Sequence, residues 1–239
     1  MVRARARPRG VLRRVLRWGG RALAACVAWS VASVVLLRFV DPPLTPLMLL
    51  RLGEGLLHGT WVGVQYDWVD LEQVSPHLLA AVLASEDARF FRHHGVDFVE
   101  LEKSRAYNER AAGRRLRGAS TITMQCARST FLWTGRNWLR KGLEVYFTAL
   151  LELFWSKRRI LEVYVNVVEW GDGVYGAEAA AERAFRVPAA KLTAQQAALL
   201  AAVLPSPRRW SAARPTPGVK QRAARIAARA KAVSLAPLR

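Results

Sequence analysis

Residues 22–40, ALAACVAWSVASVVLLRFV, are apolar apart from Ser30, Ser33 and Arg38, and eight arginines precede them with no acid among residues 1–21. About 20 helical residues cross the hydrocarbon core of a bilayer. The run is just long enough, with Arg38 reaching to the far interface. Arginines on one flank orient such a helix with that flank in the cytoplasm. A cleaved signal peptide would show a small-x-small site after the run, and none stands out. A buried core helix would not carry eight arginines beside it. The sequence therefore predicts a basic cytoplasmic tail over 1–21 and a single-pass transmembrane anchor over 22–40. Everything after it lies outside the cytoplasm, periplasmic in a cell with an inner membrane.

That topology reassigns the charge. The chain holds 37 Lys+Arg against 18 Asp+Glu, a net +19. Nine of those charges run from Arg3 to Arg38, which leaves ten on residues 41–239. Outside the cytoplasm nucleic acid is not an expected partner. Membrane lipids with anionic headgroups, or a phosphate-bearing lipid substrate, fit better. With 239 residues, 52% of them hydrophobic, the chain can bury one good core beside its appendage. Cys26 in the span and Cys126 far from it predict no disulfide. Neither has ligand spacing with the histidines, so no metal site is read.

Beyond the anchor, 41–59 forms a membrane-proximal apolar segment. Its core, LTPLMLLRLGEGLL, either lies on the membrane surface or packs on the domain. Residues 60–70 alternate imperfectly and read as a short strand or ribbon. From Ser75 the pattern is mainly α, within a domain over 60–215. Ser75-Pro76 supplies a cap and an N1 proline for a helix that ends at Glu86. Asp97 caps a helix to about 112, before a basic stretch over 113–118. Others are read over about 119–132, 137–155, 157–168, 176–185 and 194–203, the last capped by Thr193. Residues 205–218, with four prolines and a glycine, read as irregular. A basic C-terminal helix fills 216–239, starting near 219.

Five segments carry more than packing requires. Glu86 and Asp87, in the stretch ASEDARFFRHHG, lie between an apolar helix and an aromatic–histidine turn. A carboxylate there meets the negative end of the helix dipole and partial desolvation, which both raise its pKa toward that of a usable base. A polar helix end that merely turns the chain fits equally well. In RGASTITMQ, 117–125, Ser120 or Thr121 can cap a helix while hydroxyls and free N–H groups face an anion. Plain capping is the alternative. Arg136, Arg140, Lys141 and Glu144 follow, the last three on one helix face as an exposed ion-pair cluster or the lining of a groove. KRRILEVYVN spans 157–166. EWGDGVYGAE, 169–178, has three glycines that imply a close backbone approach or a special turn. Two separated carboxylates among phosphate-ready cations suit an inverting glycosyl transfer from a pyrophosphate.

The segments SEDARFFRHHG, GASTITMQ, RKGLE, KRRILEVYVN and GVYGAEAAAERAF resemble, in order, the five motifs of the family 51 peptidoglycan glycosyltransferases. One anchor and no second domain resemble the monofunctional biosynthetic members. The resemblance covers about 60–215 and implies a mainly α, lysozyme-like glycosyltransferase fold. The substrates it implies are lipid II, a disaccharide–pentapeptide linked to undecaprenyl pyrophosphate, and the growing glycan chain, joined by β-1,4 bonds outside the inner membrane with release of undecaprenyl pyrophosphate. By motif position Glu86 matches the catalytic base and Glu144 the second catalytic glutamate. Ser120, Thr121, Gln125, Arg128, Arg136 and Lys141 match positions that hold or surround the phosphates. Lys157 and Asn166 match the fourth motif, whose role is more structural. No cofactor is fixed by the residues. The resemblance leaves room for Mg2+ or another divalent cation near Glu144, and for cell-wall synthesis or division proteins as partners. Met124 stands where the family usually has the first of two glutamines, so no hydrogen bond of that residue carries over. Arg128 keeps the charge where Lys is also common, with different hydrogen-bond geometry.

Overall fold

A computed structural model describes residues 9–57, 59, 63–111, 118–135 and 137–238, with side chains from residue 13. Arg3, Arg5, Arg7, residues 60–62 of the expected ribbon, the basic stretch 113–117 and Arg136 lie outside the described residues.

The chain divides into Met1–Val40 and Asp41–Arg239. Among its described residues the first unit holds one helix, α1 (Arg9–Leu37), 29 residues or about 44 Å long. It starts earlier than expected because the arginines before the apolar run are themselves good helix formers. Its stretch Arg13–Leu37 is long and apolar enough to cross a membrane.

The second unit begins with α2 (Pro46–Leu57). This helix buries Met48 and packs against α5, while Leu49, Leu50, Leu56 and Leu57 stay exposed. Arg51 fastens it through Asp172 (2.8 Å) and Glu169 (3.4 Å), and pairs within the helix with Glu54 (2.8 Å). Then come β1 (Gln65–Tyr66), α3 (Pro76–Glu86), α4 (Phe98–Arg110), α5 (Ile122–Phe131), α6 (Trp138–Phe154) and α7 (Lys157–Val167). A hairpin of β2 (Glu169–Gly171) and β3 (Val174–Tyr175) precedes α8 (Ala177–Phe185), α9 (Ala194–Val203) and α10 (Pro217–Ala230).

The core is helix on helix. α3 buries Leu78, Leu79, Val82 and Leu83, and α9 buries Leu200 among four alanines. Small side chains let α9 approach α3 and α10 closely, and those three pack together. On the other side α5 packs against α6 and α7. α7 is buried almost all round, with Ile160, Leu161, Val163, Tyr164 and Val165 inside. Each Leu, Val or Ile taken fully from water contributes about 1.5–3 kcal/mol.

A small sheet, ordered β1-β3-β2, was not read from the sequence. β1 runs parallel to β3, Gln65 opposite Val174, and β2 runs antiparallel to it with a bulge between Glu169 and Gly171. The glycine-rich segment is therefore a hairpin leading into α8. Gly176 has φ +86°, and a Cβ there would lie 2.9 Å from the Asp67 carbonyl and 3.1 Å from that of Asn166. The irregular stretch after α9 ends at Thr216 rather than 218. Thr216 caps α10 and Pro217 sits in its first turn, where a missing N–H costs nothing.

Candidate active site

Glu86 is the last residue of α3, which Ser75 starts by accepting the His77 N–H at 3.3 Å. The next residue leaves the helix, and its carboxylate turns inward. Asp87 accepts the Ile122 N–H at 3.1 Å and faces His93 Nε2 with both oxygens at 3.0 Å. Ile122 opens α5, so this carboxylate meets a free N–H and the positive end of a helix dipole. Thr121 caps α5 by accepting the Met124 N–H, and its hydroxyl donates to the Gly95 carbonyl at 2.5 Å. Arg89 pairs with Asp97 at 2.9 Å, and Asp97 accepts the Glu100 N–H to cap α4. The segment from Glu86 to Asp97 is thus pinned to two helix starts. Asp87 supports the turn, and Glu86 is left facing the opening.

That opening is a cavity of about 830 Å3, lined among others by Glu86, Ser120, Thr121, Gln125 and Arg222. Gln125 Nε2 donates to Glu86 Oε2 at 3.0 Å, and Arg222 Nη2 stands 3.7 Å from Oε1. Tyr164 donates its hydroxyl to Gln125 Oε1 at 3.3 Å, which turns the amide so that its N–H groups face Glu86. Burial raises the Glu86 pKa above the usual carboxylate value, while the Gln125 hydrogen bond and the charges of Arg222 and Arg128 hold part of that rise back. The result is a carboxylate with more proton affinity than a solvated glutamate. It can take a proton from a hydroxyl placed against it.

Glu144 lies elsewhere, inside α6. It is 2% exposed, and its two oxygens meet Arg140 at 2.6 Å and Lys141 at 2.5 Å. The cluster is not the exposed ion-pair group that was one expectation: Arg140 is buried with Glu144, and only Lys141, 39% exposed in its side chain, reaches solvent. Both Glu144 oxygens are held by cations, so the donors here do not fit a divalent ion. Asp87, His93 and Asp97 bring ligand atoms within 4.8 Å of one another. Arg89 and two helix N–H groups already hold those carboxylates, and the cluster reads as a clamp.

Of the residues expected from the sequence, Glu86, Ser120, Thr121 and Gln125 line one cavity, and Arg128 acts on Glu86 through its charge. Lys157 caps a different arrangement. It pairs with Glu152 at 2.7 Å and lies 4.5 Å over the Phe90 ring. Asn166 is fully buried, donating to the Val69 carbonyl at 2.8 Å and accepting the Val69 N–H at 3.0 Å. Arg222 and Tyr164 were missed. Tyr164 sits in a motif that was noted, in an apolar helical pattern that gives no cue to its hydroxyl. Arg222 comes from a helix read only as a basic tail.

A family model described as Transglycosylase matches residues 55–231. The chain is 55% identical over 213 residues to the biosynthetic peptidoglycan transglycosylase of Rhodospirillum centenum, a match covering 89% of each chain. It is 53% identical over 213 residues to that of Pseudomonas entomophila, again across 89% of each. To one from Xanthomonas campestris pv. campestris it is 48% identical over 227 residues, 95% of this chain and 92% of that one.

Proposed function

The chain belongs to the transglycosylase family, with its mainly helical, lysozyme-like glycosyltransferase fold, and from that premise we propose that it polymerises lipid II into β-1,4-linked glycan. Glu86 accepts the proton of the acceptor sugar's 4-hydroxyl as that oxygen bonds to C1 of the donor sugar. The C1–O bond to undecaprenyl pyrophosphate breaks, and the pyrophosphate leaves with the electron pair. Attack opposite the leaving group inverts the anomeric carbon. Arg128 and Lys141, with Arg136, stabilise the charge on the departing pyrophosphate. Glu144 holds Lys141 in position rather than touching substrate. Ser120 borders the same cavity, at the start of α5, and its hydroxyl binds an anion there, while Thr121 is buried and its hydroxyl is taken up by the Met124 N–H and the Gly95 carbonyl.

The single observation that supports this reading best is the Glu86 carboxylate, raised by burial and held between Gln125 and Arg222 at an open cavity. A glycan-cleaving enzyme would also use a raised glutamate, but it has no need of several cations around it. Helix α1 anchors the protein in the inner membrane with its arginine-rich end in the cytoplasm and the catalytic unit in the periplasm. Exposed Leu49, Leu50, Leu56 and Leu57 on α2 and Trp138 and Leu139 on α6 suit a domain that works at the lipid surface. Full-length protein in detergent, given lipid II, is expected to yield glycan polymer and free undecaprenyl pyrophosphate. Degradation of finished glycan without polymer formation would refute the reading.

A further inference from the structure

A second cavity, about 510 Å3, adjoins the catalytic one: Ala84, Asp87, Ala88, Arg89 and Arg229 line both. Its chemistry differs. Phe90, Phe91, Val233 and Pro237 give it apolar walls, and Arg89, Arg92 and Arg229 are its cations. Arg89 is spent on Asp97. Arg92 and Arg229 are exposed, and neither makes an ion pair among the described residues.

Two substrate parts are poor occupants. Sugar rings would set hydroxyls against apolar walls without partners, at a cost of about 1–3 kcal/mol for each one buried. A pyrophosphate is all charge and has no use for phenylalanine and valine. A short peptide with methyl side chains and free carboxylates matches both halves, its methyls on the apolar walls and its carboxylates on planar guanidiniums. A cavity of this size suits a ligand of a few residues.

We propose that this cavity is a subsite for the acidic peptide carried by the lipid-linked disaccharide, so that the acceptor is recognised by its stem as well as by its sugar. The inference rests on the lipid II reading above. It makes peptide carboxylates a contributor to acceptor affinity, supplied by Arg92 and Arg229 from outside the reacting centre. Continuity with the Glu86 cavity favours this occupant over an anionic lipid headgroup.

The test compares full-length wild type, Arg92→Ala and Val233→Glu, each checked by circular dichroism, on three lipid-linked disaccharides. One carries the whole peptide, one a single residue, and one the whole peptide with its carboxylates amidated. Wild type is expected to lose about tenfold in kcat/KM on the truncated and amidated substrates, the value of one charge-assisted contact. Both variants should match wild type on those two substrates and lose the preference for the intact stem. Wild type indifferent to the stem would overturn the subsite. So would variants that lose equally on all three substrates, the result expected of a structural role. A loss seen only on vesicles containing phosphatidylglycerol, and independent of the stem, would give the cavity to lipid instead. Polymer made from the truncated substrate upholds the lipid II reading whichever way the subsite falls. No polymer from any substrate removes both.

Discussion

Arg222 Nη2 stands 3.7 Å from Glu86 Oε1, joining the last long helix of the chain to the last residue of α3. The contact is loose for an ion pair, and it leaves the carboxylate partly open to the cavity. Its effect is to favour the ionised form of a group that burial disfavours.

Replacing Arg222 with Met should therefore raise the Glu86 pKa further. A base must be ionised to act, so the acid limb of the kcat/KM profile should move to higher pH, by about one unit. Arg222→Lys should restore part of the shift. A pH–rate profile of the polymerisation reaction checks this, and an unmoved limb would detach Arg222 from Glu86.

Glu144→Gln removes the charge between Arg140 and Lys141. Arg140 is buried, so losing its partner should cost about 3 kcal/mol of stability, and Lys141 loses its restraint. The expected outcome is a folded protein that melts several degrees lower and turns over at least about tenfold more slowly. Thermal melts followed by circular dichroism, alongside turnover, measure both. Unchanged turnover would take Glu144 out of the mechanism.

Gly95→Ala should be damaging although no chemistry resides there. Gly95 has φ +86°, and an added Cβ would lie 2.6 Å from Thr148 Cγ2 and 3.1 Å from Glu152 Cγ. Strain and overpacking together should cost at least about 2 kcal/mol. The midpoint of urea unfolding tests this.

Asn166→Leu separates a structural residue from a substrate contact. The Asn166 side chain satisfies both the N–H and the carbonyl of Val69 inside the core. Stranding those groups should cost about 2–4 kcal/mol while the KM for lipid II stays the same. A raised KM at unaltered stability would return Asn166 to the substrate.

Helices were legible wherever a cap announced them. Ser75, Asp97 and Thr193 each accept a backbone N–H at the start that the sequence predicts. Pro217 hid the start of α10, because a proline after several others looks like a breaker until its place in the first turn is known. The sheet was illegible because β1 and β3 are two residues long and pair across more than a hundred positions. A two-residue strand has no period to detect. Half of the cavity around Glu86 followed from local motifs, since Ser120, Thr121 and Gln125 lie together at one helix start. Arg222 did not, because its meeting with Glu86 depends on how α10 packs against α3, which no spacing along the chain encodes.

The proposed base is Glu86. Glu86→Gln nearly preserves shape and can still meet Gln125, so the fold should persist. Polymerisation of lipid II, followed by release of undecaprenyl pyrophosphate, should fall by about 10²–10⁴-fold in that variant. Release at the wild-type rate from folded Glu86→Gln protein would contradict the mechanism outright.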